Sequence, residues 1–187
     1  MRKVTETRAR RDVAFVLSRL GRNNDGAVML EFAFVVIPFI ALILASLYTS
    51  LIYFTSQALD SAVQRSARVM ITGAAQKAGT TKTAYKTQVC NNLPTYMKCS
   101  RLFVDVRKAS TFASMDLSAP TLTIDVDGNV TNSGSYETIA KGEKGLVRLA
   151  YVWYAGTGPN GLDLSNTTGG NRILIATSVF MAEPFGS

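Results

Sequence analysis

The feature that most constrains this chain is a long apolar run, from Gly26 to Phe54, that contains one charged side chain, Glu31. About 20 apolar residues suffice for a helix to cross a bilayer, so the run predicts a membrane-spanning helix. A charged side chain at the bilayer centre costs about 2.5–3.5 kcal/mol on insertion scales, and less near the interface. A carboxylate inside such a helix therefore indicates a functional partner. The alternative is an interfacial residue within about one turn of the headgroups.

The residues before the run are basic and predict how the chain is oriented. Residues 1–26 hold seven Lys and Arg against three acidic residues, which gives them +4 of the chain's net charge of +7. Because basic flanks favour the cytoplasm, we expect a cytoplasmic leader at 1–26, a single transmembrane helix at 27–56 and an exported domain at 57–187. The apolar run continues past Ala45 and Ser46 with no small-x-small cleavage pattern, so retention in the membrane is favoured over a cleaved signal peptide.

One proline and two cysteines in these segments lead to further predictions. Pro38 lies within the span and predicts a kink, which neighbouring helices in a membrane can accommodate. Cys90 and Cys99 both fall in the exported part, where oxidation is permitted, and only a short loop separates them. This favours a disulfide between them, with two free thiols as the alternative.

The exported part has the patterns of an α+β domain. Residues Gln57–Met70 follow the spacing of an amphipathic helix that continues the span, with Gly73 as its stop. A second, short helix is expected at Lys82–Leu93. Alternating or β-branched segments then predict an antiparallel sheet of about four strands, packed on the long helix: Arg101–Ala109, Thr121–Val126, Gly145–Tyr154 and Arg172–Met181. A loop of unknown role, residues 155–171, joins the last two.

The composition argues against enzymes and nucleic-acid binders. The chain has no histidine, which excludes Ser-His-Asp and Cys-His catalysis as well as histidine-rich metal sites, and it has no phosphate-binding glycine loop. Beyond the leader its charges are sparse and scattered, unlike a nucleic-acid-binding face. Asp105, Asp116 and Asp163 lack partner carboxylates at a recognisable spacing and are expected to be solvated surface charges. We therefore predict no enzyme activity, no cofactor and no nucleic-acid partner.

Two weaker patterns have ordinary explanations. Residues Asp125 to Glu137 resemble the start of a calcium-binding EF-hand loop, but Val130 stands where glycine is required. A tight Asp-Gly turn explains the segment without a metal, so no metal site is predicted. The aromatic residues 151, 153 and 154 could form a ligand platform, although such a group is more often core and sheet edge.

The order of these features resembles a type IV prepilin: a basic leader, a Gly-x₄-Glu step and a long apolar helix that continues as an amphipathic one. More closely, GAVMLEFAFVVIPF at Gly26–Phe39 resembles the entry motif of the TadE-like family of pseudopilins, which serve the Tad (tight adherence, or Flp) pilus. The segment Gln57–Gln76, the paired cysteines and the closing FMAEPF at Phe180–Phe185 also resemble this family. The resemblance implies a pilin-like fold.

The resemblance also implies site residues. A prepilin peptidase would cut after Gly26 and leave Ala27 as the new N-terminus. Glu31, followed by the aromatic Phe32, would then set subunit register by meeting the free α-amino group of a neighbouring subunit. Mature pilins often begin with phenylalanine, so the N-methylation of Ala27 is left open.

The implied partners are the bacterial inner membrane, the prepilin peptidase, other pilin and pseudopilin subunits, and the Tad assembly platform. The chain would cross the membrane once, with its C-terminal domain in the periplasm, and either enter a surface pilus or stay in the membrane as an assembly factor. The competing hypothesis is an uncleaved bitopic envelope protein whose exported domain binds a partner or ligand.

Overall fold

A computed structural model describes residues 25–158, 161–167 and 169–184. The predicted basic leader, apart from its last two residues, lies outside the described residues. The structure separates into two units, one ending at Ala45 and the other beginning at Ser46.

The elements follow in the order predicted for an α+β fold. Helix α1 covers Asp25–Ile71, α2 is the short helix Ala74–Lys77, and α3 covers Lys82–Asn91. The three strands are β1 (Leu102–Ala109), β2 (Lys144–Tyr154) and β3 (Asn171–Met181), and they form an antiparallel sheet in the order β1-β2-β3. The fold class is thus confirmed, whereas the strand count is three rather than four.

In the first unit, α1 packs against no apolar core formed by the described residues. The helix is apolar enough over these residues to cross a membrane, and none of its most apolar window is buried among the described residues. Its own large apolar side chains are exposed, including Met29, Phe34 and Leu42. A helix that is hydrophobic all round requires a partner or a lipid environment.

In the second unit, the end of α1 supplies one side of the core. The predicted amphipathic face is buried at Leu59, Ala62, Val63, Ser66 and Met70, while Asp60, Gln64 and Arg68 are exposed. The helix ends at Ile71, and Gly73 follows it with a φ of 73°, a conformation that glycine adopts without steric cost.

The sheet supplies the other side of the core. Its register places Val104 opposite Leu149 and Leu149 opposite Ala176, and all three side chains belong to the same buried cluster as the α1 face. Apolar side chains of one sheet face thus bury the helix stripe, as the alternating patterns predicted.

The second face of the sheet is also covered over β1 and β2, which the sequence did not predict. The first five residues of β1 are buried, including Phe103, where a half-buried strand was expected. The chain between β1 and β2 covers this face, and it also extends the β1 edge: the Ser135 carbonyl accepts the Val106 N–H at 2.9 Å.

The predicted strand Thr121–Val126 is the one that does not form. Within it, Ile124 makes only an isolated bridge with Val130, and the Thr123 carbonyl accepts the Thr131 N–H at 2.9 Å. The Asp-Gly turn therefore folds the segment back on its own continuation. Its backbone groups are satisfied locally instead of by the sheet.

Candidate functional site

The residues predicted for processing and subunit contact all lie near the start of α1, in the first unit. They are Gly26, Ala27, Glu31, Phe32 and Pro38. Glu31 and Phe32 are exposed, as are most of the apolar residues around them. The structure therefore gathers these residues on one regular helix, within about four turns.

Helical geometry relates three of these positions. Ala27, Glu31 and Pro38 are spaced by four and seven residues and so lie along one side of the helix. Ala27 and Glu31 are separated by about 6 Å along the axis. Pro38 has no N–H to donate, which leaves the carbonyl of Phe34 without its usual helical partner. The proline lies inside the helix as predicted, and the kink itself stays a prediction.

Gly26 is not required by the local backbone. Its φ is not in the left-handed region, and a Cβ placed on it would meet nothing within 4 Å among the described residues. Glycine also weakens a helix by roughly 1 kcal/mol relative to alanine. Folding of the described chain therefore gives no reason for glycine at this position.

Glu31 has no counter-charge within the described chain. None of the ion pairs found in residues 25–158, 161–167 and 169–184 includes it. Its carboxylate is exposed on the apolar stretch of α1, where no other residue from Gly26 to Phe54 is charged. The described part of the molecule thus supplies no ion-pair partner for this acid.

A disulfide between Cys90 and Cys99 secures the second unit, as the sequence favoured. Cys90 lies in the last turn of α3 and Cys99 begins a 3₁₀ turn that leads directly into β1, with their Cα atoms 5.5 Å apart. At the other end of α3, the Thr81 hydroxyl caps the helix by accepting the Ala84 N–H at 3.3 Å. The bond therefore ties α3 to the start of the sheet.

A buried ion pair is the main feature that the sequence analysis missed. Asp105 on β1 and Arg148 on β2 are directly paired in the sheet, and Asp105 Oδ2 lies 2.8 Å from Arg148 Nη2. Asp105 is 0 % exposed and Arg148 2 %. The expectation that Asp105 is a solvated surface charge was therefore wrong. The signal that could have revealed it was an acid between two valines in β1 and a base within the long apolar stretch of β2.

Further bonds join this pair to the covering segment. Asp105 accepts the Ser135 N–H at 2.7 Å, and its carboxylate also lies 3.0 Å from Arg107 Nε. The guanidinium of Arg148 donates to the Ser118 carbonyl. These bonds give hydrogen-bond partners to several polar atoms of both side chains. The ion pair therefore holds the covering segment against the sheet, and its role is structural.

The two weaker sequence patterns have structural roles as well. The Asp125 carboxylate accepts the backbone N–H groups of Asp127 and Asn129 at 3.0 and 2.7 Å, and the bonds to Asn129 lower the pKa of this exposed acid. Tyr151 belongs to the core, and its hydroxyl accepts the Lys98 N–H at 3.0 Å. No cluster of acidic residues and cysteines suited to a metal ion occurs among the described residues.

Part of the loop at 155–171 protects an edge of the sheet. The Asn166 side chain accepts the Ile173 N–H at 2.7 Å and donates to the Ile173 carbonyl at 3.1 Å, in the place of a neighbouring strand. The Thr167 hydroxyl donates to the Asn171 carbonyl at 2.8 Å. The described portion of the loop thus closes the free side of β3 near its start.

Comparison with known families supports the resemblance noted in the sequence. Residues 26–68 match the model of the TadE-like protein family. No curated protein and no solved structure has significant similarity to the chain. The match begins at Gly26, includes Glu31 and Pro38, and continues through most of the amphipathic half of α1.

Proposed function

We propose that this chain, similar to TadE-like proteins over residues 26–68, is a minor pseudopilin of a Tad pilus that is needed for pilus assembly and surface attachment. It acts as a structural subunit and not as an enzyme. The observation that carries this proposal is the family match itself, which starts at the predicted processing site. The apolar start of α1 and the family both suggest membrane anchoring.

In this proposal the chain is first a bitopic inner-membrane protein. The basic residues 1–26 stay in the cytoplasm, residues 27–56 span the membrane and the domain from residue 57 onward is periplasmic. The prepilin peptidase then cuts the Gly26–Ala27 bond. The unexplained glycine at position 26 fits this step, because a residue that folding does not require is consistent with selection by a protease.

Cleavage would have an electrostatic consequence. It removes the basic leader and creates an α-amino group on Ala27, a cation at the end of an apolar helix. In an environment of low dielectric constant an unpaired charge costs several kcal/mol, so the amine of one subunit and Glu31 of another favour each other strongly. Together with Phe32, the pair would select the register in which subunits or the Tad assembly platform receive α1.

The identity of the mature N-terminus tests the proposal. The full chain is produced in cells with and without the prepilin peptidase, extracted from membranes and analysed by mass spectrometry. A mature chain that begins at Ala27 and appears only with the peptidase supports the pseudopilin function. A chain that retains residues 1–26 in both strains contradicts it, and favours the uncleaved bitopic envelope protein instead.

A further inference from the structure

A groove in the second unit lies between the last turns of the apolar run and the start of β3. On the helix side it is lined by Thr49, Ile52, Tyr53 and Ser56, whose spacing places them on one face of α1. Leu164 and Arg172 line the opposite side, and the groove has a volume of about 120 Å³. The groove therefore combines an apolar floor with hydroxyl groups and one cation.

Arg172 has hydrogen-bonding capacity that its surroundings do not use. Its Nη1 donates to the Leu164 carbonyl at 2.8 Å, which holds the half-buried guanidinium at the groove. Its Nε is buried and has no hydrogen-bond partner among the described residues. The guanidinium also forms no ion pair with any carboxylate in the described part of the chain. A cation held in this way is suited to an anion, and the planar guanidinium fits phosphate in particular.

The position of the groove along the chain indicates where that anion would come from. At 1.5 Å per residue, residues 27–47 provide about 31 Å of helix, which matches the hydrocarbon core of a bilayer. The groove residues 49–56 then cover the next ~10 Å, the level of the polar headgroups. Tyr48 and Tyr53 lie at the same level, where tyrosine is enriched in membrane proteins.

We propose that this groove binds the phosphate of an anionic phospholipid, with Arg172 as the principal ligand. The Ser56 hydroxyl adds a second polar contact, and an acyl chain follows the apolar surface at Ile52. The lipid would fix the depth of the exported domain against the membrane surface. This inference rests on the membrane anchoring in the proposed function but not on cleavage at Gly26.

The test measures lipid retained by the full chain reconstituted in nanodiscs that contain phosphatidylglycerol and phosphatidylcholine. After release into detergent, native mass spectrometry counts the bound lipids. The wild-type chain should retain phosphatidylglycerol preferentially. Arg172→Gln should retain about tenfold less, the scale of one lost charge-assisted hydrogen bond, and Arg172→Lys should keep part of the preference. The matched control is Arg65→Gln, which removes an exposed cation from the polar face of α1, away from the groove residues, and should change nothing.

A second variant separates lipid binding from folding. Ser56→Phe fills the groove without altering charge and should also lose the lipid, while circular dichroism and thermal melting report whether each variant is folded. Equal retention by the wild-type chain, Arg172→Gln and Ser56→Phe would overturn the inference. Displacement of the lipid by excess inorganic phosphate would assign the site to free phosphate and would also overturn it. Failure of the wild-type chain to enter nanodiscs would instead contradict the anchoring on which the proposed function depends.

Discussion

Asp105 on β1 and Arg148 on β2 face each other across the sheet, with 2.8 Å between Asp105 Oδ2 and Arg148 Nη2 and with both side chains buried. Removing one partner leaves a buried, uncompensated charge. We therefore expect Asp105→Asn to lower the free energy of unfolding by about 3–5 kcal/mol. Urea unfolding of the purified full chain, followed by circular dichroism, measures the change.

Two further variants test the cause of this decrease in the free energy of unfolding. Asp116→Asn removes an exposed carboxylate that pairs with Arg107 and should have little effect. The double variant Asp105→Asn with Arg148→Met removes both buried charges and should be more stable than Asp105→Asn alone. A double variant as unstable as the single one would mean that shape at this site matters more than charge.

The disulfide should stabilise the folded chain by an amount that rises with the logarithm of the length of the loop that it closes. Cys90 and Cys99 are separated by nine positions, for which the chain-entropy relation gives about 2.5–3 kcal/mol. We expect the variant with both cysteines replaced by serine to lose about this amount in urea unfolding. Reduction of the wild-type chain should give a similar loss and should leave the double variant unaffected. If a reductant also lowers the stability of the double variant, the loss in the wild-type chain has a cause other than this disulfide.

Tyr85 should make the second unit sensitive to alkali. Burial raises the pKa of its hydroxyl far above the ordinary value of 10.0, and the nearby Tyr136 adds to the shift. The unfolded chain therefore releases this proton near pH 10 while the folded chain keeps it. Its contribution to stability is complete below pH 10 and is lost progressively as the pH rises above that value.

The variant Tyr85→Phe tests this effect because it removes the titrating hydroxyl. It also removes the hydrogen bond from that hydroxyl to the Ser66 carbonyl at 3.0 Å. It should be less stable than the wild-type chain by about 1 kcal/mol at neutral pH. Above pH 10 its stability should fall less steeply. Thermal melting from pH 7 to 11 measures both effects, with the exposed Tyr154→Phe as the control. Parallel curves for Tyr85→Phe and the wild-type chain would contradict the prediction.

The parts of the fold that were predictable are those specified by local periodicity. The face of α1 that includes Leu59 and Val63, the helix stop near Gly73 and the strand that begins near Arg172 were all apparent, because each follows from residues close in sequence. The failed strand near Thr121 had the right composition. Its backbone groups bond instead to residues just beyond the Asp-Gly turn, and strand propensity does not determine which partner a segment pairs with.

The candidate sites likewise differ in whether their residues are close together in the sequence. The spacing from Gly26 to Glu31 is a local pattern, so the resemblance to the TadE-like family could be detected from it. Asp105 and Arg148 are 43 positions apart, and their pairing depends on the register of two strands that the sequence does not specify. The Arg172 groove likewise joins α1 to a distant strand, and only the folded chain brings its two sides together.

Gly26 should be needed for processing and not for folding. Leucine at this position is a better helix former and would meet no atom of the described chain within 4 Å of its Cβ. We therefore expect Gly26→Leu to fold and enter the membrane normally but to retain residues 1–26. Immunoblots for chain length, with thermal melting of the extracted protein, distinguish the two effects. A fully processed Gly26→Leu chain would contradict the assignment of the cleavage site.

Glu31 should act after processing, because the cation that it is proposed to meet exists only once the Gly26–Ala27 bond is cut. Glu31→Gln keeps the size and helix propensity of the side chain and removes only its charge. We expect normal cleavage at Ala27 but loss of surface pili and of attachment, measured by electron microscopy and by adhesion of cells to a surface.

Glu31→Asp keeps the charge on a shorter side chain and should retain part of the function. In a Gly26→Leu background Glu31→Gln should cause no further loss, since no α-amino group is available to pair with the carboxylate. Normal piliation in cells that carry processed Glu31→Gln would show that this carboxylate does not set subunit register.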